Sequence, residues 1–160
     1  MTPMTPANRD NMIAWMAARS DAPHYGDLLV YKLPKERLVL GPLQVEAMTD
    51  QDTGISEQLS LWDQRGSRVI RGNLLVIPID EALLYVEPVY LHAEENDIPQ
   101  LKRIIVSDGD KLAMEPTLEA ALSVVFGEAP PEARELVAAV ATQSVDLDVR
   151  AEHGSAGSIT

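Results

Sequence analysis

Apolar and polar positions alternate along this chain with a period that changes part-way, and the change separates a helical half from an extended one. Near the N-terminus, Met12, Trp15, Met16 and Arg19 fall on one stripe at helical spacing, with Ile13 beside it. Thr5-Pro6 offers an N-cap followed by proline at the first helical position, where a missing N–H costs nothing. Together they predict a helix that ends at Ser20-Asp21-Ala22-Pro23. Leu28 to Tyr31 and Leu38 to Leu40 read as two short strands. Pro42 after Gly41 opens a second helix over Leu43 to Met48. The polar stretch Asp50 to Gly54 precedes a third, from Ile55 to Gln64, in which Ile55, Leu59 and Trp62 share a face.

Beyond Gly66 the pattern becomes that of strands. Val69-Ile70, Leu74 to Ile79 and Leu83 to Leu91 are joined by Arg71-Gly72-Asn73 and Asp80-Glu81-Ala82. Links this short favour antiparallel neighbours, because a parallel crossover needs about a dozen residues or more. Pro78 and Pro88 cannot donate to a ladder, so they predict edges or bulges. Ile104 to Val106 and Lys111 to Met114 flank Ser107-Asp108-Gly109-Asp110, where Asp-Gly tolerates the positive φ of a tight hairpin turn. Thr117 caps a helix over Leu118 to Phe126, with Leu118, Ala121, Leu122 and Val125 inward and Gly127 closing it. The predicted organisation is a domain over residues 1–127, a linker over 128–131, a helix over 132–142 and a disordered tail over 143–160. Its class is α+β: a mostly antiparallel sheet with flanking N-terminal and C-terminal helices.

Composition narrows the partners. Lys plus Arg number 13 and Asp plus Glu 25, a net charge of −12, which argues against a duplex nucleic-acid binder needing a positive surface. The absence of cysteine excludes disulfides and cysteine metal sites. Met1 to Pro6 lacks the basic segment of a secretory signal. The longest apolar run, Leu74 to Ile79, is far short of the roughly 20 residues that span a bilayer, so this segment reads as soluble and not inserted.

Candidate chemistry is sparse. Arg65, Arg68 and Arg71 form the one local basic patch, and Glu87 lies inside Tyr85-Val86-Glu87-Pro88-Val89-Tyr90. A guanidinium fork suits an anion or a carboxylate, and a half-buried Glu wants a cation, so Arg68, Arg71 and Glu87 make a candidate ion pair or anion contact; internal pairing is the favoured reading. Asp50-Gln51-Asp52-Thr53-Gly54 opens like a calcium loop, but its fifth position is Gly54 and its twelfth Leu61, so it reads better as a turn that caps the next helix. His24, His92 and His153 are too scattered for a metal site or a triad. No metal site, cofactor or catalytic constellation is predicted, and the chain reads as no enzyme.

Three stretches carry a resemblance: Arg9 to Asp21 followed by Tyr25-Gly26 and Val30-Tyr31, then Gly66 to Ile79, then Leu84 to Leu91. They are similar to the C-terminal part of the bacterial membrane proteins of uncharacterised protein family 0182, with likeness from Thr5 to Gly127. That resemblance implies several membrane helices upstream, a large domain outside the cytoplasmic membrane, and this chain as its distal piece. No site carries over with it. The expected partners are the upstream part of its own membrane protein and a second copy in a homo-oligomer. Two functions follow as expectations. One is a non-enzymatic extracytoplasmic domain acting in binding, assembly or envelope structure. The other is an envelope hydrolase or transferase whose site, using Glu87 with Arg68 or Arg71, is completed by upstream residues. A closed Glu–Arg pair under the sheet favours the first, and an open cleft holding both unpaired favours the second.

Overall fold

The computed structural model describes residues 2–64, 66–79, 82–93 and 98–127. Residues 1–125 form one compact unit; of the second, 126–160, only Phe126 and Gly127 are described. The predicted linker, helix and tail over 128–160 lie outside the described residues. The class is α+β, built on two antiparallel sheets. The smaller contains β1 (Thr2–Met4), β2 (Ala14–Ala18) and β3 (Leu28–Lys32) in that order. Helices α1 (Pro42–Gln51) and α2 (Thr53–Trp62) follow, and then the larger sheet: β4 (Ser67–Arg71), β5 (Leu75–Ile79), β6 (Ala82–Ala93), β7 (Gln100–Ser107) and β8 (Leu112–Glu115). Helix α3 (Leu118–Phe126) ends the described chain.

The predicted N-terminal helix over Thr5 to Arg19 is absent: residues 5–13 run through turns and irregular backbone, and Ala14–Ala18 is a strand. Ala14 and Trp15 are adjacent and both buried, so both faces of the segment are covered, which a single helical stripe does not achieve. Pairing supplies the reason. Met16 lies opposite Thr2 on one side and Val30 on the other, while the Trp15 indole N–H donates to the Val76 carbonyl of β5 at 2.8 Å. Tertiary partners override the helix-forming Met and Ala side chains. Leu38 to Leu40 is likewise no strand. Its carbonyls serve isolated bonds and no ladder: Val39 accepts from the Met12 N–H at 3.0 Å and the Asn11 Nδ2 at 3.3 Å, and Leu40 from the Tyr85 hydroxyl at 2.6 Å.

Strand β6 organises the larger sheet. Along one edge it pairs with β7, and along the other with β5 through Ala82 to Val86 and with β4 through Val89 to Ala93. Thus β4 and β5 lie end to end against one strand, and Arg71-Gly72-Asn73 is a step between them, not the hairpin the short link suggested. Pro88 sits opposite that step. Its carbonyl accepts from the Gly72 N–H at 2.8 Å, so its missing N–H faces the place where β4 has stopped and β5 has not begun. A Cβ on Gly72 would lie 2.6 Å from Pro88 Cγ, which explains the glycine. One residue further, the β6–β7 register shifts between Val89 and Tyr90, as the proline led us to expect. Pro78 lies in β5, whose one neighbour in the ladder among the described residues is β6, so it also occupies an edge.

Alternation on β6 divides the core. Leu84 and Val86 face α3, with Val106, Ala113, Ala121 and Val125. On the other face, Leu83 and Tyr85 pack with Met12, Trp15, Val45 and Val76, and Val89 packs with Ile105 and Ile55. Asp52 caps α2 as expected, its Oδ1 accepting from the Ile55 N–H at 2.9 Å. Thr117 Oγ1 accepts from the Ala120 N–H at the start of α3, while Leu118, ahead of the turn that meets the sheet, is exposed and not inward. Asp108-Gly109 does join β7 to β8. The loop runs from Asp108 to Lys111, with Asp108 Oδ1 accepting from the N–H groups of Asp110 and Lys111 and Gly109 at φ +100°.

Gly41 precedes α1, and a Cβ there would sit 1.8 Å from the Asp10 carbonyl oxygen, a backbone atom that cannot swing aside. Gly41→Ala is therefore expected to destabilise the fold by at least about 2 kcal/mol, as overpacking does. Gly54, inside α2, has only an ordinary contact with Asp52 at 3.4 Å. Gly54→Ala is expected to stabilise by about 0.5–1 kcal/mol. Urea unfolding of the two variants checks both signs.

Candidate functional site

Glu87 stands at the middle of β6, between the two clusters on the same face, and is 3% exposed. A carboxylate there requires compensation, and the register supplies it. Arg71, the last residue of β4, lies opposite Val89, which makes Glu87 its diagonal neighbour two residues along β6. The guanidinium meets the carboxylate side-on: Nε donates to Oε1 at 2.5 Å and Nη2 to Oε2 at 2.8 Å. Its remaining arm, Nη1, donates to Asp50 Oδ1 from the last turn of α1. One guanidinium thus ties α1, β4 and β6 together. The hydrogen bonds from Arg71 to Glu87 hold its pKa above the ordinary arginine value; burial opposes them and Asp50 adds to them.

Arg68 takes no part. Residues 68 and 70 of β4 point to the face opposite Val69 and Arg71, and Arg68 is exposed, level with His92 on β6. Arg65 lies outside the described residues. The third member of the cluster, Asp50, sat within the stretch read as a capping turn; nothing local in Asp50-Gln51-Asp52 shows that one acid caps a helix while the other reaches β4. His24 contacts Asp27 on the surface at 3.2 Å, and His153 is outside the described residues. Among the described residues there is no group of three side chains able to hold a metal ion, and no helix long and apolar enough to cross a membrane.

An open pocket of about 320 Å³ lies elsewhere, lined by Leu33, Arg37, Leu38, Tyr85 and Asp110 among others. Tyr85 is 2% exposed and donates its hydroxyl proton to the Leu40 carbonyl. Burial pushes the phenol up to about 12, with the Arg37 charge pulling the other way, so it is a neutral donor and no base at neutral pH. Asp108, on the turn at the pocket's edge, spends its carboxylate on that turn.

The feature of this structure least accounted for by its own packing is β3. All five of its residues are exposed, and four of them, Leu28, Leu29, Val30 and Tyr31, are large and apolar. Tyr25, just before it, is 80% exposed. Strand β3 ends its sheet, so one edge of its backbone is also without a neighbouring strand among the described residues.

Residues 1–62 match the family model described as uncharacterised protein family UPF0182. The chain is 62% identical over 126 residues to a UPF0182 protein of Desulforamulus reducens, covering 79% of this chain. It is 58% identical over 135 residues to one of Salinibacter ruber, covering 84%, and 57% identical over 125 residues to one of Trichodesmium erythraeum, covering 78%. In each case the matched segment spans about 14% of the relative's length. No solved structure matches the chain.

Two outcomes are expected at these side chains. Glu87→Gln should lower the unfolding free energy by about 3–5 kcal/mol, the range for breaking a buried ion pair from one side. Arg68→Ala should stay within about 0.5 kcal/mol, as an exposed substitution does; chemical denaturation of both compares them. Tyr85 carries a folded-state pKa above its unfolded value of 10.0, so its contribution is fully present below pH 10 and lost as pH rises towards 12. The parent chain should therefore lose stability across that window relative to Tyr85→Phe, read as a difference between their melts at each pH.

Proposed function

Because the chain belongs to the uncharacterised protein family UPF0182, we propose that it serves as a non-enzymatic domain on the extracytoplasmic face of a multi-pass membrane protein, working in binding, assembly or envelope structure. The observation that carries this reading is β3, an end strand with four consecutive exposed apolar residues. Contiguous apolar surface of this kind marks a contact surface on soluble domains, and an open strand edge invites backbone pairing. The partners are the remainder of the same long polypeptide and further copies of it. The Arg71–Glu87 pair supports the same reading. Both carboxylate oxygens are engaged and the group is buried, whereas a hydrolase or transferase using Glu87 needs it facing a cleft.

The test uses a full-length family protein that carries this segment. The chain has no cysteine, so a single one at exposed Lys35 is a unique label site. In a background without other accessible cysteines, Lys35→Cys should react with a membrane-impermeant maleimide in intact cells. Labelling only after permeabilisation would overturn the extracytoplasmic placement.

A further inference from the structure

The exposed edge of β3 fits one occupant in particular, and we propose that it is the β3 of a second copy of this chain, paired antiparallel about a two-fold axis at Val30. This deepens the assembly reading above and rests on it.

The hydrogen-bond phase of the β2–β3 ladder sets the geometry. At one end the Arg19 N–H donates to the Asp27 carbonyl, and at the other the Leu33 N–H donates to the Ile13 carbonyl. Odd-numbered residues of β3 therefore bond towards β2, and Leu28, Val30 and Lys32 turn their N–H and C=O groups outward. A second β3 centred on Val30 places Val30 opposite Val30 and Leu28 opposite Lys32. Every outward donor and acceptor of both strands then meets its complement, which is the condition for an isologous contact.

The side chains agree with that register. On the face shared with Trp15, Leu29 meets Tyr31 of the second copy, an aliphatic–aromatic cross-strand pair. Tyr31 is already held edge-on against Trp15, with ring centroids 5.7 Å apart. On the other face the Lys32 stem lies along Leu28. The strand holds no acidic residue, although the chain carries −12. Lys32 of one copy and Lys32 of the other would stand four positions apart along the pair, about 14 Å, beyond the roughly 8 Å screening length at physiological salt. No like charges meet within the contact. Repulsion comes only from the acidic remainder of each copy, so association should strengthen as salt rises.

Cysteine scanning of the whole chain tests the register. Hydrogen-bonded antiparallel partners have Cα atoms about 5.5 Å apart, inside the range that a disulfide bridges. With no native cysteine, any disulfide is intermolecular. Val30→Cys should oxidise in air to a covalent dimer about tenfold more than Leu61→Cys, an exposed control on α2. Val30→Pro removes the central outward N–H, and Val30→Lys sets like charges on the axis while leaving the backbone intact. Both should raise the dimer dissociation constant at least about tenfold by light scattering, with circular dichroism unchanged for Val30→Lys. Crosslinking at Val30 no greater than at Leu61, or a Val30→Lys chain that dimerises like the parent, overturns the proposal. If this fails while Lys35→Cys labels from outside the cell, self-pairing alone falls. If the outside labelling fails, the extracytoplasmic reading falls whatever the dimer does.

Discussion

A single carboxylate in the middle of the longest strand constrains the rest of this fold. Glu87 is buried on the face of β6 where Tyr85 and Val89 belong to different apolar clusters. Left without a cation it would cost several kcal/mol. Its neutralisation requires β4 to stop at Arg71, diagonal to Glu87, and requires α1 to end near enough for Asp50 to take the last guanidinium arm. The step at Gly72 and the proline at 88 fit the same arrangement. The sheet edge is vacated where Pro88 has no donor to offer, and Gly72 comes within contact of its ring.

The smaller sheet is fastened to this centre by polar bonds at the rim of an apolar cluster. Trp15 reaches the Val76 carbonyl on the free edge of β5, and Tyr85 reaches back to Leu40. Each aromatic thus buries its ring and satisfies its one polar atom, and the buried side chains among the described residues leave no polar atom unpaired. What the centre does not cover is β3. The inner side is therefore closed, and the side available for contact lies at the far edge of the small sheet, consistent with a domain that works by assembling.

Much of this was legible in the residues, and the failures have physical causes. The strands from Ser67 to Glu115 and the Asp108-Gly109 turn follow from β-rich runs bounded by turn chemistry, and the two helices before them from Pro42 at a helix start and from the shared face of Ile55, Leu59 and Trp62. The pairing of Glu87 with an arginine could be anticipated from a carboxylate in an apolar strand. That the partner is Arg71 and not Arg68 depends on side-chain alternation, and parity along β4 is fixed only once its register with β6 is known. Met12 to Arg19 misled because a short apolar run fits a helix stripe and a doubly covered strand equally well; the choice was made by Thr2 and Val30 on either side. The link at Arg71-Gly72-Asn73 was short enough for a hairpin, but it joins two strands lying along one edge of a third.

A double-mutant cycle on Arg71 and Glu87 tests most directly whether their pair acts as a structural neutralisation. Replacing both by apolar residues, Arg71→Met with Glu87→Leu, removes the buried charges together. Each single replacement should destabilise strongly and the double variant should recover most of the loss, with a coupling energy of at least about 2 kcal/mol. Additive losses, with the double variant the least stable of all, would contradict that role.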